Sequence, residues 1–235
     1  MKKQKGFTLV EMMVSLGIGM VILAAIYAMV NSGQKSTANV ERKVYANQDA
    51  RTALDFMSLE IEMASYNPRP DQLKATFWKD PLSTHCPNCD ASFNQNYRGI
   101  QQATPNAITV QMNLDSSANI CDNPNESITY TFDAVNQYII RSLDCGSGNA
   151  PFLGDVPGNQ RSLRVINTSA VPVFRYYDAS NVEIASNALP AGSPNIARID
   201  ITLWVETANI DVNSGHRRQM VYSTSVVPRN HVLSR

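Results

Sequence analysis

Glu11 has the clearest chemical demand in this chain, because it is the only charged side chain between residues 7 and 30. As a helix, this apolar stretch would be about 36 Å long, enough to cross a hydrocarbon core of about 30 Å. A lone carboxylate in such a segment costs on the order of 2.5–3.5 kcal/mol on insertion scales, so it needs a partner. The nature of that partner bears directly on function.

A short basic leader with Lys2, Lys3 and Lys5 precedes the apolar stretch. An ordinary secretory signal has a shorter apolar run, and its small residues at the cleavage site follow that run. Here Gly6 comes before the run, and residues 31–34 after it are merely polar. From these residues alone, the leader predicts an uncleaved amino-terminal anchor whose lysines stay in the cytoplasm.

The junction Lys5-Gly6-Phe7-Thr8-Leu9-Val10-Glu11 resembles the processing motif of type IV prepilins and type II secretion pseudopilins. The glycine, the apolar residue after it, the Thr-Leu-Val run and the glutamate have the spacing of that family. The resemblance implies that a prepilin peptidase cuts after Gly6 and that Phe7 becomes the N-methylated first residue. It also implies that Glu11 is the assembly glutamate.

The geometry of a helix supports a role for Glu11 in such a chain. Cleavage would give Phe7 an amine that is at least partly protonated near neutral pH and remains a base after one methylation. Residues 7 and 11 share a helical face, so the carboxylate can pair with its own amine or with that of a neighbouring subunit. Such a pair is strong at low dielectric. We hypothesise that Glu11 selects a neighbour's amine and sets the stagger of packed helices.

The charge balance argues against a nucleic-acid-binding protein. The 235 residues carry 20 basic and 20 acidic side chains, and loss of the leader's three lysines leaves a net charge of −3. No basic patch with interleaved aromatic residues occurs, so we predict no nucleic-acid partner. The chain beyond residue 67 is long enough for one sizeable domain.

The sequence carries no HExxH, GxSxG, Walker or dinucleotide-binding motif, so we predict that the protein is not an enzyme. We expect the scattered His85, His216 and His231 to be solvated loop residues. The segment 115–126 has enough side-chain oxygens to hold calcium, but its spacing fits no EF-hand, so an Asn/Asp-rich turn is the favoured interpretation. No other cofactor is predicted. The residues concerned are Asp115, Asn119, Asp122, Asn123, Asn125 and Glu126.

Four cysteines, Cys86, Cys89, Cys121 and Cys145, follow the apolar segment. They lie outside the cytoplasm if the lysines face inward, and an oxidising compartment favours disulfides. Four cysteines permit three pairings. We expect Cys86–Cys89 and Cys121–Cys145, because the second pair brackets a predicted hairpin. A zinc site and a redox motif are the alternatives, although a zinc ribbon would require a second C-x-x-C.

The apolar helix is predicted to continue as an amphipathic helix over residues 31–66, where Asn67-Pro68 and Pro70 end it. Seven of its residues share one face at 100° per residue and are predicted to be buried: Ala46, Ala50, Ala53, Leu54, Met57, Ile61 and Ala64. A second set, Phe56, Leu59 and Met63, falls on roughly the opposite side. These three either contact neighbouring subunits or are buried within the same protein.

The remainder of the chain, residues 67–235, is predicted to be a β-rich, disulfide-containing domain. Residues 67 to about 105 look irregular. Strands are predicted over residues 107–114, 127–132, 137–143, 171–177, 196–205 and 218–227, with a hairpin turn at 133–136 and another turn at 178–181. The predicted fold class is α+β: a long amino-terminal helix, transmembrane and then amphipathic, packed on a mostly antiparallel sheet as in pilins.

This arrangement resembles the PilW-type minor pilins and, less closely, the J-type minor pseudopilins. The segments that carry the resemblance are 53–57, 60–64, 128–132, 138–141 and 226–230. Major pilins usually have a proline midway through the apolar helix, whereas this chain has Ala28 near that point. That difference, like the chain length, favours a minor subunit.

The resemblance implies a minor pilin that primes the assembly of a type IV pilus together with other minor pilins and the major pilin. Before assembly it would cross the inner membrane once, with residues 1–6 as the leader, residues 7–30 as the assembly helix and the carboxyl-terminal domain outside the cytoplasm. It would then reach the pilus at the cell surface. Two alternatives remain: a minor pseudopilin in the tip of a type II secretion system, and a pilus-delivered adhesin or ligand-binding module that binds through residues 67–125.

Overall fold

A computed structural model describes residues 6–69, 78, 98–115, 120, 122–143, 148–156, 163–189, 192–211 and 214–233. Within these residues the chain forms one long helix, two antiparallel sheets and a short carboxyl-terminal helix. The elements, in chain order, are α1 Leu9–Glu62, β1 Ile100–Ala103, β2 Ala107–Gln111, β3 Ser127–Asp133, β4 Tyr138–Leu143, β5 Asn149–Leu153, β6 Leu163–Val165, β7 Phe174–Tyr177, β8 Arg198–Thr207, β9 Gln219–Val226 and α2 Arg229–Leu233.

The amino-terminal half of α1 has the dimensions of a membrane span. Residues 9–30 alone extend about 33 Å at 1.5 Å per residue. The most apolar part of α1 is not buried by any other described part of the protein. By length and composition α1 fits a single-pass membrane anchor.

The helix ends earlier than predicted, at Glu62 in place of residue 66. Ser65 adopts a left-handed conformation with φ 65°. Its amide N donates to the carbonyl of Gln111 at the end of β2, with an N–O distance of 2.8 Å. The chain therefore leaves the helix to bond to the sheet before it reaches Pro68.

The predicted buried face of α1 is confirmed, since all seven of its residues are buried. This face packs against β8 and β9, and α1 also contacts β5. Four of the seven are alanines, whose side chains end at Cβ and so allow the sheet to lie close to the helix axis. The hydrophobic core of the domain lies between this face and the two sheets.

β1 to β5 form a sheet in which each strand pairs antiparallel with the next. The predicted hairpin is confirmed, with β3 and β4 in register down to the pair Asp133 and Tyr138. Asp133 organises the turn: its carboxylate accepts from the Asn136 side chain at 2.7 Å and from the Asn136 amide N at 2.9 Å. These hydrogen bonds lower the pKa of Asp133.

β8 is the centre of the second sheet, with β9 along one edge and β6 and β7 along the other. Successive residues of β8 alternate between full and partial burial, as expected for a strand with one face on the core. The Tyr176 hydroxyl of β7 donates to the carbonyl of Thr104, beyond β1, at 2.9 Å and so links the two sheets. Burial raises the pKa of Tyr176 well above its usual range.

The α+β class is confirmed, but three short strands were not predicted. β1 lies in the stretch expected to be irregular, and that expectation is wrong for Ile100–Ala103. β5 contains Pro151, and proline is tolerated at a sheet edge, which is where β5 lies. β6 has only three residues. The strand predicted from residue 171 begins at Phe174, just after Pro172, which has no N–H to donate.

Candidate functional site

A reciprocal cap between Thr8 and Glu11 closes the first turn of α1. The Glu11 amide N donates to Thr8 Oγ1 at 3.3 Å. In return, Glu11 Oε2 accepts from the Thr8 amide N at 2.9 Å and from the Thr8 hydroxyl at 3.0 Å. This capping box also places a carboxylate at the positive end of the helix dipole.

Glu11 therefore has a partner in the chain that still carries its leader. There the carboxylate is satisfied without a cation, and the expected pairing with the Phe7 amine concerns only the cut chain. Hydrogen bonds to Thr8 are uncharged on the donor side, so a protonated amine would be a stronger partner at low dielectric. The cap and the amine are alternative partners for the same carboxylate.

The bond between Gly6 and Phe7 lies in the open. Phe7 is 86% exposed, and a Cβ added to Gly6 would meet no atom within 4 Å. Folding of this chain therefore places no demand for glycine at position 6. No described residue covers the expected cleavage position, so an enzyme can reach it.

The apolar residues of α1 between residues 9 and 30 are exposed around the whole helix. The part of the domain that the structure describes does not cover them, because its buried contacts with α1 begin at Ala46. A contiguous apolar surface of this kind marks a membrane or protein contact. Lipid and other apolar helices offer the same kind of environment, so this half of α1 can pass from one to the other.

The second set on α1 stays largely exposed: Phe56 is 44%, Leu59 61% and Met63 38% exposed. Phe56 is partly covered by Phe152 of β5, with ring centroids 5.9 Å apart. Burial of this set within the same protein is therefore wrong for Leu59. Contact with neighbouring subunits remains a prediction.

Hydrogen bonds among three polar side chains link the long helix to the first sheet. The sequence predicted no role for these three residues. Arg141 of β4 donates to Glu60 of α1 through Nη2 at 2.6 Å and through Nε at 3.1 Å. The hydroxyl of Tyr130 in β3, which lies opposite Arg141, donates to the same carboxylate. Tyr130 is fully buried and Glu60 nearly so.

The surroundings of this cluster favour the protonated forms of Tyr130 and Arg141. Burial and the neighbouring Glu60 carboxylate raise the pKa of Tyr130 well above its usual range. The hydrogen bonds from Arg141 to Glu60 raise the pKa of Arg141 further. The Tyr130 phenol stays neutral near neutral pH, and together with the ion pair between Arg141 and Glu60 it positions α1 against the sheet.

The expectation that His231 is a solvated loop residue is wrong, because it is fully buried in α2. Its Nε2 lies 2.8 Å from the Ser193 carbonyl and must donate to it. With Nε2 as the donor, a neutral ring accepts at Nδ1 from the Ser65 hydroxyl, 2.8 Å away, and Ser65 Oγ in turn accepts from the Gly99 amide N at 3.0 Å. His231 therefore joins the end of α1, the start of β1 and the carboxyl-terminal segment. His216, by contrast, is exposed as expected.

In the described part of segment 115–126, Pro124–Glu126 form a short 3-10 helix that is capped by the Asn123 side chain. Glu126 is fully buried, and its carboxylate accepts from the amide N of Leu114 at 2.9 Å, Asp122 at 3.1 Å and Asn123 at 3.3 Å. These donors use oxygens that calcium would need. Among the described residues no group of three or more His, Cys, Asp or Glu side chains could hold a metal ion.

All four cysteines and His85 lie outside the described residues. The expected pairs Cys86–Cys89 and Cys121–Cys145 therefore stay predictions. Leu143 at the end of β4 and Gly148 before β5 flank the position of Cys145, and the Leu143 amide N donates to the Gly148 carbonyl at 3.1 Å.

Residues 1–27 match the family model described as the prokaryotic N-terminal methylation motif. Neither a curated protein nor a solved structure matches the chain. The matched part covers the leader and the start of α1, and it supports a type IV pilin-like or pseudopilin subunit. The motif implies processing by a prepilin peptidase and assembly with other pilins.

Proposed function

We propose that this chain is a minor pilin, a structural subunit that takes part in initiating a type IV pilus. It is cut after Gly6, methylated at Phe7 and stored in the inner membrane through residues 7–30, with its β-rich domain outside the cytoplasm. It then enters the pilus with other minor pilins and the major pilin. Its work is assembly and not catalysis.

One observation carries this proposal: an accessible Gly6–Phe7 bond lies directly before a capped carboxylate on an uncovered apolar helix. Glycine at position 6 serves no packing purpose within the chain, so a processing enzyme explains it better than folding does. The match to the methylation motif supports the same processing.

Cleavage gives Glu11 a choice of partners. In the cut chain the Phe7 amine lies one helical turn from the carboxylate, and the amine of an adjacent subunit becomes a competing partner when apolar helices pack together. Exchange of the Thr8 cap for a cation in a low-dielectric bundle favours the assembled state. The ion pair would thus form only when the helix of a neighbouring subunit has the correct axial register with this one.

Replacement of Glu11 tests this role. Glu11→Ala should leave membrane insertion intact, because an apolar helix inserts without the carboxylate, and should reduce incorporation into filaments. The matched control is Glu41→Ala, which removes an exposed carboxylate from the same helix outside the apolar segment. Incorporation is measured as the amount of the subunit in sheared filaments relative to the membrane fraction. Equal incorporation of both variants would contradict the proposal.

The proteins that co-purify with the subunit show whether it belongs to a type IV pilus or to a type II secretion system. A minor pseudopilin of a type II secretion system would have the same leader and helix, so neither feature separates the two. Recovery of other minor pilins after mild cross-linking supports the pilus. Recovery of secretion-system pseudopilins would assign the subunit to the secretion system and would contradict the pilus. The proposed processing and the proposed role of Glu11 would be unchanged.

A further inference from the structure

Among the described residues, the turn between β8 and β9 contacts α1 closer to its apolar end than the buried contacts that begin at Ala46. Asn39 Nδ2 of α1 donates to Asp211 Oδ1 of this turn at 2.9 Å. α1 continues unbroken from Val30 to Asn39, which places Asn39 about 13 Å beyond the apolar stretch. The polar headgroup layer is about 5–8 Å thick on each side of a bilayer, so the turn would lie about one Debye length from it.

Basic charge is concentrated at this level of the molecule. Segment 31–43 of α1 carries Lys35, Arg42 and Lys43 against Glu41 and has a net charge of +2, and segment 207–218 has a net charge of +1. After loss of the leader the chain has a net charge of −3, so the rest of the molecule carries −6. The protein is therefore strongly polarised, with its positive part next to the apolar helix.

Two backbone hydrogen bonds join the described residues on either side of this turn. The Gly215 amide N donates to the Asp211 carbonyl at 2.8 Å, and the Asp211 amide N donates to the His216 carbonyl at 3.0 Å. Arg217 is partly buried: its Nη1 donates to the Thr207 carbonyl at 3.1 Å, and its Nε lies 3.7 Å from Glu206 Oε1. Arg218 and, on α1, Arg42 are exposed.

The position of these charges runs against the usual flank bias of membrane anchors. Lysine and arginine near the ends of a transmembrane helix concentrate on the cytoplasmic side. Here three basic residues follow the apolar stretch within 13 residues of Val30: Lys35, Arg42 and Lys43. The non-cytoplasmic flank thus carries as many basic residues as the leader, which has three lysines. Insertion does not explain this basic flank, so it calls for a partner outside the cytoplasm.

We propose that this basic collar binds anionic phospholipid headgroups while the subunit waits in the membrane. The basic collar consists of Lys35, Arg42, Lys43 and Arg218. The inference rests on the proposed membrane-anchored function. Each basic side chain close to an anionic surface strengthens association by about fivefold, and the effect fades within a Debye length. The contact holds the domain down on the bilayer, and it is lost when the subunit leaves the membrane for a filament.

Hydrogen exchange in lipid nanodiscs tests the proposal. The full-length chain is reconstituted into discs of phosphatidylcholine alone and into discs with equal parts phosphatidylglycerol, and deuterium uptake is followed in peptides from residues 207–218. We expect uptake in these peptides to be at least about fivefold slower on the anionic discs, the equivalent of one engaged basic side chain. The difference should vanish at about 0.5 M NaCl, where the Debye length falls to about 4 Å.

Two charge reversals on α1 distinguish the collar from a general charge effect. Arg42→Glu should abolish the slowing, although residue 42 is not in the measured turn. Arg51→Glu is the matched control, because Arg51 is exposed on the same helix but lies about 31 Å beyond Val30. The slowing should persist in this control, and its loss in Arg51→Glu as well would overturn the proposal.

The remaining outcomes separate this inference from the proposed function. Entry of the chain into both kinds of disc with equal uptake in the turn would overturn the inference alone. Failure to enter either disc would overturn the membrane anchor and the inference with it. Slowing on anionic discs that persists at high salt would also overturn the inference, because the contact would then not be electrostatic.

Discussion

The Glu60 carboxylate of the long helix is bonded to two side chains of the first sheet, Tyr130 and Arg141. A buried ion pair contributes little net stability compared with apolar residues of the same volume, but it costs several kcal/mol when one partner is removed. Its geometry is directional, because Arg141 approaches Glu60 with two nitrogens. The cluster therefore fixes how the helix is rotated against β3 and β4.

Removal of the cation tests this role. Arg141→Ala should lower the free energy of unfolding by about 3 kcal/mol, because Glu60 is then left buried without its partner. Urea denaturation of the detergent-solubilised chain measures the loss. Arg175→Ala is the control: its pair with Glu183 has side chains that are 42% and 49% exposed, and the expected loss is at most about 0.5 kcal/mol. Equal losses would show that the cluster is not a special contact.

Alkaline pH should weaken the fold through the buried phenols. The pKa values of Tyr130 and Tyr176 are raised in the folded protein, so both lose their protons more readily when unfolded. Stability is complete below the usual tyrosine pKa of 10.0. Above it, stability falls by about 1.4 kcal/mol per pH unit for each tyrosine.

Tyr130→Phe should roughly halve that alkaline slope, although it also removes one hydrogen bond to Glu60 at neutral pH. The free energy of unfolding measured between pH 9 and pH 11 gives the slope, with Tyr222→Phe as the control because Tyr222 is only partly buried. An unchanged slope in Tyr130→Phe would show that its hydroxyl does not stay protonated in the fold.

The sequence predicted the motif residues around Glu11 but not the partners of Glu60. The glutamate at position 11 stands out because nothing else in its stretch is charged, which is a local signal. Glu60 lies among other charged residues of an amphipathic helix, and Arg141 is 81 positions away. Only the register of β3 and β4, which places Tyr130 beside Arg141, brings the three together.

The course of α1 shows which features of a helix can be predicted. Its buried face follows from periodicity, because the 3.6-residue repeat and the apolar side chains lie in the same stretch. Its end does not, because Ser65 stops the helix through bonds to β2 and to His231. Those bonds depend on tertiary contacts that no local pattern encodes, whereas the prolines that the pattern did offer come too late.

The junction between α1 and β1 should tolerate no side chain at Gly99. A Cβ there would lie 2.1 Å from the Ser65 amide N and 2.6 Å from the Gln111 carbonyl O, both backbone atoms. Gly99→Ala should therefore lower the free energy of unfolding by about 2–3 kcal/mol through overpacking.

Gly33→Ala is the matched control for the Gly99 variant. A Cβ at position 33 of α1 meets nothing within 4 Å, so this change should raise helix stability by about 0.5–1 kcal/mol. Thermal denaturation followed by circular dichroism compares the two variants. A neutral Gly99→Ala would show that the close approach of β1 to the end of α1 does not contribute to folding.

The fold as a whole exposes two different parts of α1. The domain covers one face of the helix between Ala46 and Ala64 and leaves the other face and the entire amino-terminal half uncovered. The α+β class could be predicted because a half-apolar helix needs a sheet. The division of the strands into two sheets could not, because β1, β5 and β6 are too short and too weakly patterned to predict.

Leu59 should matter for assembly and not for folding. It is 61% exposed in the folded subunit, so Leu59→Asp should change the free energy of unfolding by less than about 0.5 kcal/mol. If the uncovered face meets neighbouring subunits, the same variant should enter filaments poorly, because packing would bury its charge. Filament incorporation and urea denaturation are measured on the same preparation. Destabilisation with normal incorporation would contradict a subunit contact.

Intact-mass spectrometry of the subunit isolated from cells tests whether the chain is cut after Gly6, because every role assigned to Glu11 in assembly requires an amine at Phe7. We expect a mass for residues 7–235 plus one methyl group, and fragment ions that place the methyl on the amine of Phe7. A subunit isolated from filaments that still begins at Met1 would contradict this expectation.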